Sequence, residues 1–196
     1  LCNLAEIDKL CPQFHISLQS GSDSTLKAMN RHYTADEYYE LAVKLRNTFK
    51  NCTLTTDIMV GFPTETEKDF KETVAFAEKV GFEKIHIFPY SVRTGTRAAL
   101  MKPQIEKHVK EERAAALAVT AEKIRTEFLR SQIGKTVSII PETHGKDGFV
   151  FGYTENYTPV MAKVGKDAIG KTVFVKITDS DKDYCYAEYG EAPKTI

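Results

Sequence analysis

The sequence predicts an α/β protein built from three βα units with a parallel sheet, followed by a small closed β-barrel of five strands. Three apolar, β-branched runs alternate with helical patterns in the first two thirds of the chain, and this alternation is typical of a parallel sheet covered by helices. From residue 131 onward, short strand-like runs are separated by Gly, Asp and Asn. The second pattern is typical of a small all-β domain, so we expect two domains, at residues 1–130 and 131–196.

The predicted strands of the first domain cover residues 14–18, 52–60 and 84–88. Thr34 followed by Glu37 is a capping-box pattern that predicts a helix start, Thr66 predicts a second start, and Gly81 predicts a helix end. A long helix is expected between Pro103 and Gln132. Three units are too few for a closed eight-stranded barrel, which takes about 250 residues. The sheet is therefore either small and open or part of a barrel whose other strands lie outside this sequence.

The second domain contains five short β-rich runs. They cover residues 136–140, 148–153, 158–164, 171–177 and 184–189. Five strands of this length match a closed barrel of OB-like size. We expect the domain boundary near residues 131–135.

The composition is that of an ordinary globular protein, with 196 residues, 42% hydrophobic residues, and 27 Lys+Arg balanced by 27 Asp+Glu. No apolar run approaches the roughly 18 residues of a membrane-spanning helix, and the first residues do not follow a signal-peptide pattern, so we expect a cytoplasmic protein with no membrane partner. Because the sequence begins at Leu1 rather than Met, we expect it to be a fragment. The four cysteines do not follow a metal or cluster spacing, so no metal ligand is predicted among Cys2, Cys11, Cys52 and Cys185.

Polar, glycine-containing segments follow all three predicted strands, at residues 19–22, 61–66 and 89–96. Because the carboxyl ends of parallel strands meet at one edge of the sheet, where such folds bind ligands, we expect a shared ligand site there. In the third segment, Arg93 and Arg97 have guanidinium groups suited to a carboxylate or a phosphate. The alternative is an ordinary surface loop with solvated arginines.

Three polar residues lie inside predicted strands. Asp57 occupies an apolar strand, where an unpaired carboxylate is costly, so it should have a hydrogen-bond or cationic partner. His15 and His86 occupy similar places in the first and third strands. They are either a metal-binding pair or packed, hydrogen-bonded core residues, and the second interpretation is the more common one.

Three ordered motifs connect the chain to a known family. They are FHISLQSGSDSTLKAMNRHY at residues 14–33, TDIMVGFPTET at residues 56–66 and HIFPYSVRTGTRAA at residues 86–99. These motifs resemble the second half of the radical S-adenosylmethionine methylthiotransferases, and most of all the branch that modifies threonylcarbamoyladenosine in tRNA. The tail from residue 131 resembles the TRAM domain of the same enzymes.

The resemblance implies a fold, cofactors and partners. The fold is a partial (half) βα barrel, in which these three units are the last strands of a six-unit barrel. The cofactors are S-adenosylmethionine and, in the full-length protein, 4Fe-4S clusters whose C-x3-C-x2-C ligands lie upstream of Leu1. The chain alone is therefore expected to be inactive and to contain no catalytic side chain. The implied partners are the tRNA anticodon arm and the donors of sulfur and electrons.

The resemblance also implies site residues. Those expected at the S-adenosylmethionine pocket are Gln19, Ser20, Gly21, Arg31, Asp57, Val60, Gly61, Phe88, Pro89 and Tyr90. Those expected to contact RNA are Arg93, Arg97, Lys163 and Lys166. Aromatic residues of the tail are candidates for base stacking, although in a small barrel such residues are more often core: Phe149, Phe151, Tyr153 and Tyr157.

Two positions depart from the family pattern. Ser17 stands where the family usually has Pro, and Thr64 stands where it usually has Gly. If the backbone at residue 64 requires a positive φ, a β-branched Thr is strained there.

Other functions remain open from the sequence. Two rivals lie in the same enzyme class, the isopentenyladenosine-tRNA branch and the ribosomal-protein branch; the Gln19-Ser20-Gly21 triplet weighs against the second, which resembles Q-H-A there. A non-catalytic RNA-binding module is a third possibility, and a metabolic α/β enzyme with an anion site at Arg93 is a fourth. The fourth lacks a recognisable general base or nucleophile, and the near-neutral tail weighs against a domain dedicated to RNA.

Overall fold

The structure is a computed structural model that describes residues 4, 6–7, 9–145 and 147–192. The chain forms two compact units. Of the described residues, the first comprises residue 4 and residues 14–124, and the second comprises residues 6–7, 9–13, 125–145 and 147–192. The boundary between the units falls within the longest helix.

The first unit contains a three-stranded sheet flanked by helices, as the sequence predicted. The strands, in the order β1-β2-β3, are β1 (Gln13–His15), β2 (Thr53–Val60) and β3 (Lys84–Pro89). Strands β2 and β3 are parallel and in register from Thr55 opposite Lys84 to Val60 opposite Pro89. The helices are α1 (Asp23–Ala28), α2 (Ala35–Thr48), α3 (Glu67–Val80), α4 (Arg97–Leu100) and α5 (Lys107–Arg130), the last of which extends into the second unit. None of the helices in the described part of the chain is long and apolar enough to cross a membrane.

The helix boundaries follow the predicted caps. Thr34 and Thr66 each form a complete capping box before α2 and α3, and Gly81 ends α3 in the left-handed conformation at φ 67°. Helix α5 begins four residues later than expected from Pro103. The reason is that the Pro103 carbonyl accepts a hydrogen bond from the Thr64 N–H at 3.0 Å. This part of the chain therefore bonds to the loop after β2 instead of forming the first turn of α5.

Strand β1 is shorter than predicted because its pairing with β2 is interrupted. The Leu18 N–H donates to the Thr56 hydroxyl at 2.9 Å instead of to a backbone carbonyl. Parallel pairing resumes at Gln19, which is bridged to Ile58 and has φ 69°. The segment that follows β1 therefore forms a bulge just before Gln19, beside β2.

The two faces of the sheet differ in burial. Residues of β2 that alternate toward one face are buried, among them Leu54, Thr56, Ile58 and Val60. On the other face, side chains of all three strands remain partly accessible. We call this the open face, and its residues are His15, Ser17, Asp57, Met59, His86 and Phe88.

The second unit is a closed five-stranded barrel, and all five predicted strands are present. Its strands are β4 (Thr136–His144), β5 (Val150–Thr154), β6 (Pro159–Lys163), β7 (Val173–Ser180) and β8 (Cys185–Tyr189). The barrel order is β4-β5-β6-β8-β7, with antiparallel pairs except for β6 and β8, which are parallel. The core includes Leu129, Ile139, Val150, Val160, Val175, Ile177 and Cys185. Burial of this apolar set stabilises the barrel.

Candidate functional site

Asp57 is the centre of a polar cluster on the open face. Its Oδ2 accepts a hydrogen bond from Ser17 Oγ at 2.9 Å and lies 3.2 Å from His15 Nε2. The other ring nitrogen of His15 lies 3.0 Å from Thr55 Oγ1, and the His86 ring lies 6.0 Å from the His15 ring. The prediction that Asp57 has a hydrogen-bond partner is confirmed, and that partner comes from outside its own strand. The side chains of His15 and Asp57 are 42% and 28% exposed, so the cluster is accessible to a ligand.

An apolar pair adjoins this cluster. Met59 lies directly opposite Phe88 in the register of β2 and β3, one alternation beyond the opposed pair Asp57 and His86. Phe88 is 50% exposed and Met59 is half-buried. An accessible ring beside polar acceptors is the combination that a nucleoside ligand requires, since the base needs apolar cover and the ribose needs hydrogen-bond partners.

The end of β2 is buried, whereas β3 ends at the exposed Pro89, which the buried Tyr90 follows. Val60 is fully buried and lies opposite Pro89, and the Tyr90 N–H donates to the Val60 carbonyl at 2.9 Å. The Tyr90 ring packs at 5.3 Å against Phe62. Its hydroxyl is buried and has no hydrogen-bond partner among the described residues. These contacts bring the predicted residues of β2 and β3 together at one edge.

Ser20 and Gly21 join the end of β1 to α3. The fully buried Ser20 hydroxyl lies 3.1 Å from Thr73 Oγ1, which also accepts the Gly21 N–H at 3.1 Å. A Cβ at residue 21 would lie 2.7 Å from Phe76 Cβ, so only glycine fits. Gln19 is half-buried, and its backbone bonds to Asp57 and Met59 of β2. Among these three predicted residues, Gln19 is therefore the one beside the open face.

A charged cluster from α5 surrounds the loop after β2. Arg113 Nη1 lies 2.6 Å from Glu65 Oε1, and the same oxygen accepts the Gly61 N–H at 2.9 Å. Lys110 Nζ donates to the Tyr90 carbonyl at 3.0 Å. Burial raises the pKa of Glu65, although the Gly61 N–H and the Arg113 guanidinium both act to lower it. The loop that carries Gly61 is thus tied to α5 by buried polar contacts.

The predicted arginines lie apart from this network. The side chains of Arg31, Arg93 and Arg97 are exposed. Burial raises the pKa of the Tyr33 phenol above its ordinary value, although the nearby charge of Arg31 acts to lower it. The Tyr33 hydroxyl donates to the Leu18 carbonyl at 2.8 Å, near the end of β1. Arg93 and Arg97 flank the start of the short helix α4.

A second polar cluster lies between the loop after β1 and α3. Ser22 Oγ lies 2.8 Å from Asp69 Oδ1 and 2.7 Å from Glu72 Oε2, so the two carboxylates share its single proton, and Ser24 also bonds to Asp69. Burial acts to raise the pKa of Asp69, but hydrogen bonds from Ser24, Thr66 and Ser22 hold it at about 2. These residues line an open cavity of about 550 Å³. The Thr66-x-x-Asp69 spacing of the capping box was the available sequence signal for this carboxylate.

The outer surface of the barrel presents an aromatic cluster, formed by Phe151, Tyr153, Tyr157 and Tyr184. Phe151 packs edge-on against Tyr153 at 5.0 Å and against Tyr184 at 5.7 Å. Tyr157 stacks on Tyr153 at 4.9 Å, with 27° between the rings, and is 59% exposed. Three of the four aromatic candidates in the tail are thus partly accessible together, and Tyr184 was missed because it lies 27 residues further along the chain.

A rigid turn holds Tyr157 in this cluster. Tyr157 has φ 64°, which is unusual for a residue with a Cβ. On either side, the buried side chains of Thr154, Asn156 and Thr158 bond to one another, with Thr158 Oγ1 donating to Asn156 Oδ1 at 2.9 Å. Strain of this kind persists only where its surroundings impose it.

Two lysines of the barrel, Lys163 and Lys166, were predicted to contact RNA. Lys163 is exposed at the end of β6, opposite Glu188 of β8. Lys166 begins a short 3-10 turn, and its side chain lies outside the described part of the structure.

Cys11, Cys52 and Cys185 form no disulfide within the described part of the chain, and they differ in environment. Cys11 is exposed, Cys52 is half-buried and Cys185 is buried in the barrel core. Burial raises the pKa of the Cys52 thiol to about 11. Cys2 lies outside the described residues. Within the described residues, no three His, Cys, Asp or Glu side chains converge as a metal site.

Comparison with known families assigns a class to each unit. Residues 1–77 match the Radical SAM superfamily, and residues 130–189 match the TRAM domain. The chain thus combines a radical SAM segment, which includes β1, β2 and most of α3, with a TRAM barrel.

Curated relatives with known names align with most of this sequence. The chain is 40% identical over 182 residues to the threonylcarbamoyladenosine tRNA methylthiotransferase MtaB of Bacillus subtilis. It is 42% identical over 179 residues to the tRNA-2-methylthio-N(6)-dimethylallyladenosine synthase of Oceanobacillus iheyensis, and 36% over 186 residues to the protein of that name in Caldicellulosiruptor saccharolyticus. These matches cover 90%, 90% and 94% of the chain but 40%, 34% and 40% of the relatives. The chain therefore contains a radical SAM segment and a TRAM domain, is similar to tRNA methylthiotransferases over about nine tenths of its length, and spans about two fifths of the length of these relatives.

Proposed function

We propose that this chain is part of a tRNA-modifying enzyme that methylthiolates the threonylcarbamoyladenosine next to the anticodon. The observation that supports this most is that one chain contains both a TRAM barrel and a radical SAM segment. The sheet of the first unit also has an accessible open face with polar and apolar side chains. Radical chemistry suits the reaction because an adenine C–H bond has no acidic proton for a side-chain base to remove. In the cell, a tRNA substrate implies action in the cytoplasm.

The open face fits S-adenosylmethionine in its donor set. Met59 and Phe88 offer apolar cover for the adenine. Asp57 and the side-chain amide of Gln19 offer polar partners for the ribose and the amino acid end of the cofactor. When bound beside a reduced cluster, this cofactor supplies the radical and the methyl group. The role of this chain is to bind and orient the adenosine end: Asp57 is held in place by Ser17 and His15 before any ligand arrives.

The cluster ligands are proposed to lie in a part of the protein beyond these 196 residues. The described cysteines are far apart in the sequence, and each has a different environment. The chain alone is then inactive. Anaerobic reconstitution of the 196-residue chain with iron and sulfide should give no stable 4Fe-4S absorption, and a stoichiometric cluster would contradict this part of the proposal.

The barrel is proposed to hold the anticodon arm of the tRNA. Support comes from the accessible aromatic cluster, which offers flat ring faces to unpaired bases. Lys163, and Lys166 by its position, are proposed to contact phosphates, as are Arg93 and Arg97 of the first unit. Donors of sulfur and electrons complete the set of proposed partners.

A second candidate substrate is dimethylallyladenosine in tRNA. The comparisons favour it as strongly as the first, since relatives named for that substrate are 36–42% identical to this chain and the one named for threonylcarbamoyladenosine is 40% identical. The distinguishing experiment is to delete the full-length gene and measure tRNA nucleosides by mass spectrometry. Loss of the 2-methylthio derivative of threonylcarbamoyladenosine supports our choice, and loss of the dimethylallyl derivative supports the second.

A further inference from the structure

The first turns of α5 contact the ends of both β2 and β3. Lys110 Nζ donates to the Tyr90 carbonyl at 3.0 Å and lies 5.1 Å from the centre of the Tyr90 ring. One turn later, Arg113 bonds to both the carboxylate and the backbone carbonyl of Glu65, at 2.6 and 3.2 Å. Since Glu65 accepts the Gly61 N–H, the two strand ends are connected through one helix.

The loop between β2 and α3 depends on these contacts for its shape. Gly61 has φ 69° and Thr64 has φ 76°, so two of its residues occupy the left-handed region. The methylene groups of Lys110 fill the space where a Cβ of residue 61 would lie. Thr64 is held by its bond to the Pro103 carbonyl. Such a backbone conformation persists only where contacts from outside the loop hold it. Here those contacts come from Pro103, which precedes α5, and from Lys110 of α5.

The restrained atoms adjoin the open face directly. Gly61 follows Val60, whose carbonyl accepts the Tyr90 N–H at 2.9 Å. Met59 and Phe88 each lie one residue before the last residue of their strand and form the apolar pair of the open face. A shift of the Tyr90 carbonyl or of Gly61 would therefore change the separation of the surfaces that receive the adenine.

We propose that Lys110 is a positioning residue for S-adenosylmethionine: it holds the ends of β2 and β3 at the spacing that the adenosine requires, without contacting the reacting atoms. This inference rests on the proposed function, because it assumes that the open face binds this cofactor. A charged donor to a carbonyl is among the stronger hydrogen bonds, and here the same side chain donates to the Tyr90 carbonyl after β3 and packs its methylene groups on Gly61 after β2.

The test is equilibrium binding of S-adenosylmethionine to the full-length gene product with its cluster reconstituted under anaerobic conditions. Lys110→Met removes the ammonium but keeps the methylene groups that cover Gly61. We expect about tenfold weaker binding, an unchanged thermal unfolding midpoint, and recovery of most of the affinity in Lys110→Arg, which keeps a donor. Lys107→Met is the matched control, because Lys107 is on the same helix and its ion pair with Glu111 is exposed.

Each outcome is decisive. Unchanged affinity in Lys110→Met, or an equal loss in Lys107→Met, would overturn the positioning role while leaving the proposed function intact. A loss that Lys110→Arg does not recover, accompanied by a lower unfolding midpoint, would assign Lys110 to stability alone. If the unsubstituted protein binds no S-adenosylmethionine, the proposed cofactor site itself is wrong. Should Lys110→Met fail to fold, Lys110→Gln is expected to fold and, because its side chain is shorter and uncharged, to bind more weakly than the unsubstituted protein; equal binding would overturn the role.

Discussion

Arg113 and Glu65 form a buried ion pair, with Nη1 and Oε1 separated by 2.6 Å and the two side chains 8% and 2% exposed. The pair joins α5 to the loop that follows β2. Glu65 Oε1 also accepts the Gly61 N–H, so one carboxylate oxygen bonds both to the arginine and to the residue that follows β2. The pair thus links the packing of a helix to the geometry of the candidate cofactor site.

Removing one partner of this pair should be costly. In Arg113→Met, the Glu65 carboxylate stays buried without its cation, and we expect the free energy of unfolding of the first unit to fall by about 3 kcal/mol. Urea unfolding of the 196-residue chain measures the change. The double variant Arg113→Met with Glu65→Gln should be less destabilised than the single variant, because no uncompensated charge is left.

An exposed ion pair provides the control for that experiment. Lys123 and Glu78 lie 3.6 Å apart, with side chains 65% and 49% exposed. Lys123→Met should therefore change the free energy of unfolding by less than about 1 kcal/mol. Equal effects of the two substitutions would mean that the buried pair has no special role.

Thr64 occupies a backbone conformation that disfavours its side chain. With φ 76°, a β-branched residue is strained, so Thr64→Gly should raise the free energy of unfolding by about 1 kcal/mol despite the added flexibility of glycine. Thermal or urea unfolding measures this. Thr143→Gly, at an exposed strand position of the barrel, should instead be destabilising; a loss of stability in Thr64→Gly would show that the threonine is not strained.

The hydrogen bonds to Asp69 predict a pH dependence. Its pKa of about 2 lies below the ordinary value of 3.8, so the carboxylate contributes stability above pH ~4 that is lost as the pH falls toward 2. Asp69→Asn should lower the free energy of unfolding at pH 7 by about 1 kcal/mol and flatten its dependence between pH 4 and 2. Asp36→Asn is the control, since the Asp36 side chain is 91% exposed; the same acid profile in Asp69→Asn as in the parent chain would refute the assignment.

The aromatic cluster and Lys163 should affect RNA binding differently. Stacking on a tyrosine contributes about 1–3 kcal/mol per base, so Tyr157→Ala should weaken binding of an anticodon stem-loop RNA about tenfold with little change in salt dependence. Lys163→Ala should mainly reduce the slope of affinity against salt, by about one ion. Fluorescence anisotropy at several salt concentrations separates the two effects. Tyr189→Ala, at an exposed ring outside the cluster, serves as control, and an equal loss there would argue against specific stacking.

Much of the fold followed from local sequence rules. The capping boxes at Thr34 and Thr66, the helix end at Gly81 and the five barrel strands are all confirmed, because each depends on residues close together in the chain. The condition stated for Thr64 is also met, since its φ is positive. The bulge before Gln19 was not predictable, since it arises from a bond between Leu18 and a side chain 38 residues away.

The candidate site was predictable in part. An apolar strand containing Asp57 indicated a partnered carboxylate, and Ser17 is such a partner. The register places His86 opposite Asp57 and Phe88 opposite Met59. The roles of Gly21 and Gly61 could not be seen, because the side chains that fill the space beside them come from α3 and α5. Lys110 and Arg113 were missed for the same reason. Their spacing of three residues places them on one helix face, but the sequence does not say which loop that face meets.

The proposed function predicts a change in the nucleoside content of tRNA from cells that lack the full-length gene. We predict that 2-methylthio-N6-threonylcarbamoyladenosine disappears while its unmethylthiolated precursor accumulates, and that the unsubstituted full-length gene restores it whereas the segment encoding these 196 residues does not. Unchanged levels of every 2-methylthio adenosine derivative in the deletion strain would contradict the central claim that this chain belongs to a tRNA methylthiolating enzyme.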